Sequence, residues 1–322
     1  MIGSGGGEDG PREAVDGATA LRGSGAARPA RATGGPAPAT PRPAWLSPRA
    51  AWRLWTHAPA RARAGSVLAA LVLVVTLVGP TALPYDPLKP DYRATYAAPS
   101  LTHPLGTDGL GRDVLARTLA GGRVSLTIAS LAALLAATLG GIAGLAAAEG
   151  GARVDAALVR GFDALLAFPG FLLVLLVVAA TGGGVPQTIL ALGVAGSPLY
   201  FRLVRGFARS ARTAEHVTAA RALGAGPLRT AGKHILPTFA GPLAVQVAST
   251  LATFLLVEAS LSYLGLGVSL PTPTWGNVLQ DARALLTRQP WAALGPGLVL
   301  GMATLSLQLL ADGLRDAGEV RG

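Results

Sequence analysis

Two long apolar segments of this chain are separated by a basic loop that contains several glycines. It reads Glu215-His-Val-Thr-Ala-Ala-Arg-Ala-Leu-Gly-Ala-Gly-Pro-Leu-Arg-Thr-Ala-Gly-Lys-His-Ile-Leu-Pro237. The alanine-rich residues up to Leu223 favour a helix, and Gly224 suits the left-handed residue that ends one. Pro227 suits the first position of a second short helix, and we expect Pro237 to close that helix before the next apolar segment. The stretch therefore predicts a helix–turn–helix on one membrane face, between two spans.

The composition of the chain points to a membrane protein. Of its 322 residues, 51% are hydrophobic and 14% are charged, whereas about 25% are charged in soluble domains. A membrane-spanning helix needs about 20 apolar residues, and charge-free stretches of that length or more occupy residues 64–85, 124–148, 164–201, 235–257 and 289–311. The third stretch is split by Thr181-Gly-Gly-Gly-Val-Pro-Gln187, a turn signal. The pattern predicts an all-α membrane protein with six transmembrane helices, of which the fourth is the weakest because Arg202 enters its last turn.

The six predicted spans divide the chain into segments. Residues 1–60 are rich in Gly, Ala, Pro and Arg, so we expect a disordered cytoplasmic tail. The first transmembrane helix, 64–85, is followed by an extracytoplasmic segment at 86–123. A core at 124–312 then holds the other five spans and a cytoplasmic loop at 206–237, and 313–322 forms a cytoplasmic tail. With both termini inside, most of the 27 Lys and Arg residues lie on the cytoplasmic side. The net charge of +10 is thus a sign of topology and not of nucleic-acid binding.

The sequence holds no pattern typical of an enzyme. It has no cysteine, and its four histidines are scattered singly, so we predict neither a catalytic nor a metal site. It also lacks a Gly-x-x-x-x-Gly-Lys-Ser/Thr phosphate loop, so any ATP must be bound by another chain. An ion-coupled secondary transporter or channel is the alternative. It would carry charged residues at mid-span or inverted repeats, whereas Glu258 is expected near the outer end of its span, as an interfacial residue paired with a neighbour.

Several stretches in order resemble the permeases of dipeptide, oligopeptide and nickel ABC importers, and among them the second of the two paralogous membrane subunits. These stretches are residues 103–117, 163–169, 215–237, 258–267 and 271–276, and the resemblance covers roughly residues 66–318. The family's loop reads Glu-Ala-Ala, then Gly, then Ile-x-Leu-Pro. Thr218 stands where the family has Glu, and the matching positions here are Ala219, Ala220, Gly224, Ile235 and Pro237.

The resemblance implies the type I ABC-importer permease fold in a cell membrane, with no cofactor of its own. The implied partners are a paralogous permease subunit, two cytoplasmic ATPases and an extracytoplasmic solute-binding protein, and peptides are the favoured cargo. Loop 215–237 would lie in a groove of an ATPase. Because residues three apart share a helix face, Glu215 is a candidate to supply the charge that Thr218 lacks. The expected coupling residues are Glu215, Thr218, Ala219, Ala220, Arg221, Gly224, Ile235 and Pro237.

Overall fold

The computed structural model describes residues 59–319, and its helices are joined by irregular segments, of which residues 83–113 form the longest. The disorder predicted for residues 1–60 falls almost wholly outside the described residues. The α-helices are α1 (Ala60–Ala82), α2 (Val114–Glu149), α3 (Gly151–Leu166), α4 (Gly170–Thr181), α5 (Val185–Ala211), α6 (Glu215–Ala222), α7 (Pro227–Thr230), α8 (Ala240–Tyr263), α9 (Trp275–Ala282) and α10 (Trp291–Glu319). The described residues also form a π-helical turn (Ala231–Ile235), 3-10 turns (Tyr92–Ala94, Leu236–Phe239, Arg283–Leu285) and an isolated antiparallel β-bridge between Thr107 and Asp113.

Helix α2 is the central element, and glycines set its approach to α5. A Cβ added at Gly140 would lie 2.7 Å from the Phe201 nitrogen, and one added at Gly144 would lie 2.9 Å from the Phe201 carbonyl oxygen. Neither position can hold a larger side chain, which is how small residues four apart allow two membrane helices to pack closely. A Cβ at Gly141 would meet only Val204, at 4.0 Å. Gly140 and Gly144 therefore mark the contact between α2 and α5, and Gly141 does not.

The remaining long helices pack beside α2. Helix α1 lies against α10, where a Cβ added at Gly65 would come within 2.6 Å of the Leu310 nitrogen. Helix α10 packs on α8, and α8 packs on α2. Their shared apolar cluster includes Ile128, Leu255 and Trp275, each fully buried.

The described helices have the length and composition of a membrane protein. Four of them are long and apolar enough to cross a bilayer: α1, α2, α8 with its preceding turn, and α10. A fifth span is obtained if α3 and α4 together form one span, although their axes are bent by 86° at the junction. The bend lies at Pro169, the residue before α4. Helix α5 is long enough but does not qualify, and it carries Arg202, Arg205 and Arg209 near its end.

Several helix ends differ from the apolar boundaries read from the sequence. Helix α2 begins at Val114 instead of residue 124, because the Asp113 carboxylate accepts a hydrogen bond from the Ala116 N–H and so caps the helix. Helix α10 continues to Glu319, through residues that we assigned to a polar tail. An apolar run marks the part of a helix that is buried in lipid or in the protein core. Capping residues and polar turns let the helix continue past the ends of that run.

The helices place the loops at two ends of the bundle. At one end the start of α1 meets the end of α10, and Arg212 hydrogen-bonds the Ala148 carbonyl at the end of α2. At the other end the Trp275 indole N–H donates to the Thr118 carbonyl at 3.0 Å, and the 182–184 turn lies beside Gly267. The loop 212–239 is therefore on the same end as the start of α1 and the end of α10.

Candidate coupling surface

The turn between α6 and α7 has the geometry that the sequence predicted at Gly224. Its φ is +84°, in the left-handed region that costs glycine little. The Gly224 N–H donates to the Arg221 carbonyl at 2.9 Å, and the Ala225 N–H donates to the Ala220 carbonyl at 3.0 Å. This pair of bonds is the Schellman motif, which ends a helix and satisfies its last carbonyls. Gly224 therefore fixes the angle at which the chain leaves α6.

The second half of the loop differs from the prediction at Pro237. Helix α7 starts at Pro227 as expected, but Pro237 does not close a helix before the next span. It lies in the first turn of the 3-10 segment Leu236–Phe239, where its missing N–H leaves no hydrogen bond unmade. The chain therefore runs from α7 into α8 through a π-helical and a 3-10 turn, with no loop between them.

Apolar side chains attach this loop to the end of the bundle. Val217 on α6, Ile235 and Phe239 are fully buried together. The Phe239 ring stacks on Phe207 of α5 with centroids 5.5 Å apart and planes 11° apart. The face of α6 that carries Val217 is thus packed against α2 and α5 residues such as Ala148, and the opposite face is left open.

A charged contact joins α6 to the end of α2. One Arg221 Nη2 donates to both oxygens of the Glu149 carboxylate, at 2.8 and 2.9 Å. Arg212 also lies close to this carboxylate, with its Nε 3.9 Å from Glu149 Oε1. Arg221 is one of the expected coupling residues, and its guanidinium points toward the end of α2; its partner Glu149 was not among the expected residues. A carboxylate at a helix C-terminus is unfavourable beside the negative end of the dipole, and that was the signal that Glu149 needed a cationic partner.

The open face of the loop is what a partner can reach. Glu215, Thr218 and Ala219 are all exposed, and Leu223 at the turn is 90% exposed. The Thr218 hydroxyl donates to the Ala214 carbonyl of its own helix at 3.2 Å, whereas the Glu215 carboxylate makes no ion pair with any side chain that the structure describes. We call Glu215, Thr218, Ala219 and Leu223 the coupling surface. Leu223 was not among the expected residues, although a large apolar side chain directly before the turn glycine was visible in the sequence.

The opposite end of the bundle holds a buried cluster of charges. Arg112 Nε lies 2.7 Å from Asp108 Oδ2, and Arg117 Nη2 lies 3.0 Å from Asp281 Oδ2 on α9. Burial raises the pKa of the Asp281 carboxyl, while Arg117 and Arg112 oppose that shift and Asp108 adds to it. His103 Nδ1 lies 2.9 Å from Asp113 Oδ2, the cap of α2. The 103–117 motif therefore fastens α9 and the preceding loop to the start of α2.

Glu258 also belongs to the packed interior. Its side chain lies near the end of α8 at Tyr263, as expected, and is fully enclosed by protein. The carboxylate accepts a hydrogen bond from the Ser262 hydroxyl at 2.8 Å, so the expected contact with a neighbour is present. Across residues 59–319, no group of three or more His, Asp or Glu side chains could hold a metal ion.

Residues 117–320 match the family described as binding-protein-dependent transport system inner membrane component. A candidate peptide permease protein of Brucella suis biovar 1 is 38% identical over 259 residues, covering 80% of this chain and 86% of that protein. A candidate peptide transport system permease protein of Brucella abortus biovar 1 is also 38% identical, over 80% of this chain and 87% of its own length. The di/tripeptide transport system permease protein DppC of Pseudomonas aeruginosa is 36% identical, over 80% of this chain and 86% of its own length.

Proposed function

This chain belongs to the family of inner membrane components of binding-protein-dependent transport systems, and we propose that it forms half of the translocation pathway of an ATP-driven importer of di- and oligopeptides. The family makes it a membrane transport subunit and not an enzyme. The peptide cargo is supported by the names of relatives that are 36–38% identical over 80% of the chain. Its partners are then a paralogous permease subunit, two cytoplasmic ATPases and an extracytoplasmic solute-binding protein.

The observation that carries the coupling role is the two-sided structure of α6. One face is fixed to α2 and α5 by Val217 and by the Arg221–Glu149 contact. The other face presents the coupling surface, including the exposed carboxylate of Glu215. An ATPase that moves when it binds and hydrolyses ATP can bind the open face of α6. The fixed face then transmits that movement to the membrane spans. We assign Glu215, Thr218, Ala219, Ala220, Arg221, Gly224, Ile235 and Pro237 to this coupling element, with Arg221 and Ile235 on its bundle side.

We further assign six membrane crossings, by α1, α2, α4, α5, α8 and α10, with both termini in the cytoplasm. The loops alternate between the two ends of the bundle in the order that six crossings require. Helix α3, which has no buried residue, would then lie along the cytoplasmic surface. Its Asp155 accepts hydrogen bonds from Arg205 and Arg209, the former at 2.8 Å from Nη2, so these arginines of α5 find a partner at the membrane surface.

Uptake by the reconstituted complex tests this function. The full chain, purified with its partner permease, ATPases and binding protein, is placed in proteoliposomes and supplied with radiolabelled di- and tripeptides. We expect accumulation that requires ATP and is absent when the ATPase subunits are omitted. Uptake driven by an ion gradient in the absence of ATP would support the secondary-transporter alternative instead.

A further inference from the structure

Helix α8 carries a line of polar side chains through an otherwise apolar span. Gln246 is followed at positions i+3, i+4 and i+7 by Ser249, Thr250 and Thr253, so the four side chains share one face of the helix. They extend over about 10 Å of its length, at 1.5 Å per residue. We call these four residues the polar stripe.

The polar stripe lines a cavity between α4, α5 and α8. The cavity has a volume of about 290 Å³, and its opposite walls are apolar side chains such as Phe171, Leu192 and Leu199. None of the residues that line it is charged. Small-molecule sites have a similar character, with apolar walls and a few polar groups, and usually occupy about 300–1,000 Å³. A cavity at the low end of that range fits half of a site whose other half a second permease subunit completes.

The hydrogen-bonding groups of the polar stripe are only partly used within the chain. The Gln246 amide donates to the Thr250 hydroxyl at 3.2 Å, and the Thr253 hydroxyl donates to the Ser249 carbonyl at 3.0 Å. The Ser249 hydroxyl and the Gln246 amide oxygen have no hydrogen-bond partner among the groups that the structure describes. Lipid offers such groups no hydrogen bond, and polar side chains in spans therefore usually face the protein interior or water.

We propose that the polar stripe is this subunit's share of the peptide path, where side-chain hydroxyl and amide groups hydrogen-bond the backbone amides of the passing peptide. The inference rests on the proposed function and adds the residues and the chemistry. Amide and hydroxyl groups both donate and accept hydrogen bonds, as does each peptide unit. Because the lining is uncharged, the stripe does not select peptides by the charges of their termini or side chains. It therefore accepts peptides of varied sequence.

The absence of cysteine from the chain makes the test direct. Ser249→Cys and Thr253→Cys are introduced singly, and Val74→Cys serves as the control because Val74 is a 57% exposed apolar residue of α1, away from the stripe. Each complex, carrying cysteine-free partner subunits, is reconstituted and treated with a charged, membrane-impermeant methanethiosulfonate reagent. We expect both stripe cysteines to react at least about tenfold faster than Val74→Cys.

A second arm of the experiment identifies the occupant. A mixture of synthetic di- and tripeptides, supplied with the binding protein during ATP turnover, should slow modification of Ser249→Cys and Thr253→Cys but not of Val74→Cys. Reaction no faster than the control, in complexes that still import peptides, would show that the stripe faces lipid or a tightly packed partner and would overturn the proposal. Fast reaction that peptides do not slow would overturn the assignment to the peptide path. Failure of the cysteine-free parent to import peptides would instead refute the proposed function.

Discussion

Gly224 is the residue on which the shape of the coupling element depends. Its φ of +84° is needed for both hydrogen bonds of the turn, and a Cβ added there would meet nothing within 4 Å. A substitution therefore acts through the backbone alone, because a β-branched residue at positive φ costs about 1–3 kcal/mol. Such a substitution is expected to change the direction of α7 relative to α6.

We expect Gly224→Val to lower peptide-stimulated ATP hydrolysis of the assembled complex by about tenfold, since roughly 1.4 kcal/mol corresponds to a factor of ten in a population. Membrane insertion should be unchanged. Gly226→Val is the matched control, because Gly226 has equally open surroundings and no positive φ. Equal activity of the two variants would show that the turn does not set the coupling geometry.

We propose that Glu215 supplies the charge of the single glutamate in the family pattern, where this chain has Thr218. Both residues are exposed on α6, but the Thr218 hydroxyl is bonded to its own helix, and the Glu215 carboxylate makes no ion pair with the side chains that the structure describes. We expect Glu215→Ala to weaken association with the ATPase several-fold, and Thr218→Ala to have a smaller effect. Co-purification of the ATPase in rising salt measures both. Equal losses would remove the idea that Glu215 replaces the missing charge.

At the level of helices, the contact between α6 and α2 links the coupling surface to the centre of the bundle. The Glu149 carboxylate and the Arg221 guanidinium are 20% and 33% exposed, so their ion pair alone contributes only about 1 kcal/mol. The ion pair matters more for orientation than for stability. Together with the buried side chain of Val217, the Glu149–Arg221 pair holds α6 in one orientation on α2.

We expect Glu149→Arg or Arg221→Glu alone to uncouple the complex, so that ATP is hydrolysed with several-fold less peptide imported per ATP. The double exchange should restore much of that ratio, because the opposite charges again face each other. Asp163→Asn is the control, since its pair with Arg202 is more than half exposed on both sides and should matter little. A double exchange no better than the single variants would argue against a direct electrostatic link.

The sequence predicted the elements better than their ends and contacts. Apolar runs located the long helices, and the glycine and proline signals at Gly224 and Pro227 gave the turn, because both depend on local chemistry. Pro237 was misread since a proline in the first turn of a helical segment can begin that segment as well as end one. The Glu149–Arg221 contact joins residues 72 positions apart, and no local pattern encodes such a pair.

At the scale of the whole molecule, the arrangement of charges is consistent with one orientation in the membrane. Arg202, Arg205 and Arg209 end α5, and their carboxylate partners Asp155 and Asp163 lie on α3. The end of the bundle that carries this network also carries the coupling surface. Basic residues are enriched on the cytoplasmic side of membrane proteins, so this end is expected to face the cytoplasm and the end with Trp275 to face outward.

Reporter fusions test this orientation and the six crossings together. A fusion after Gly183 or after Thr274 should behave as extracytoplasmic, and a fusion after Gly226 as cytoplasmic. The Gly183 site is the most informative, because it lies between α4, which has 12 residues, and α5, which ends in three arginines. A helix of 12 residues spans about 18 Å, less than the bilayer's hydrocarbon core of about 30 Å, so α4 needs a locally thinner bilayer to cross. A cytoplasmic signal at Gly183, with Thr274 still outside, would mean that α4 and α5 do not cross and that the bent α3–α4 pair only enters the membrane from the cytoplasmic side.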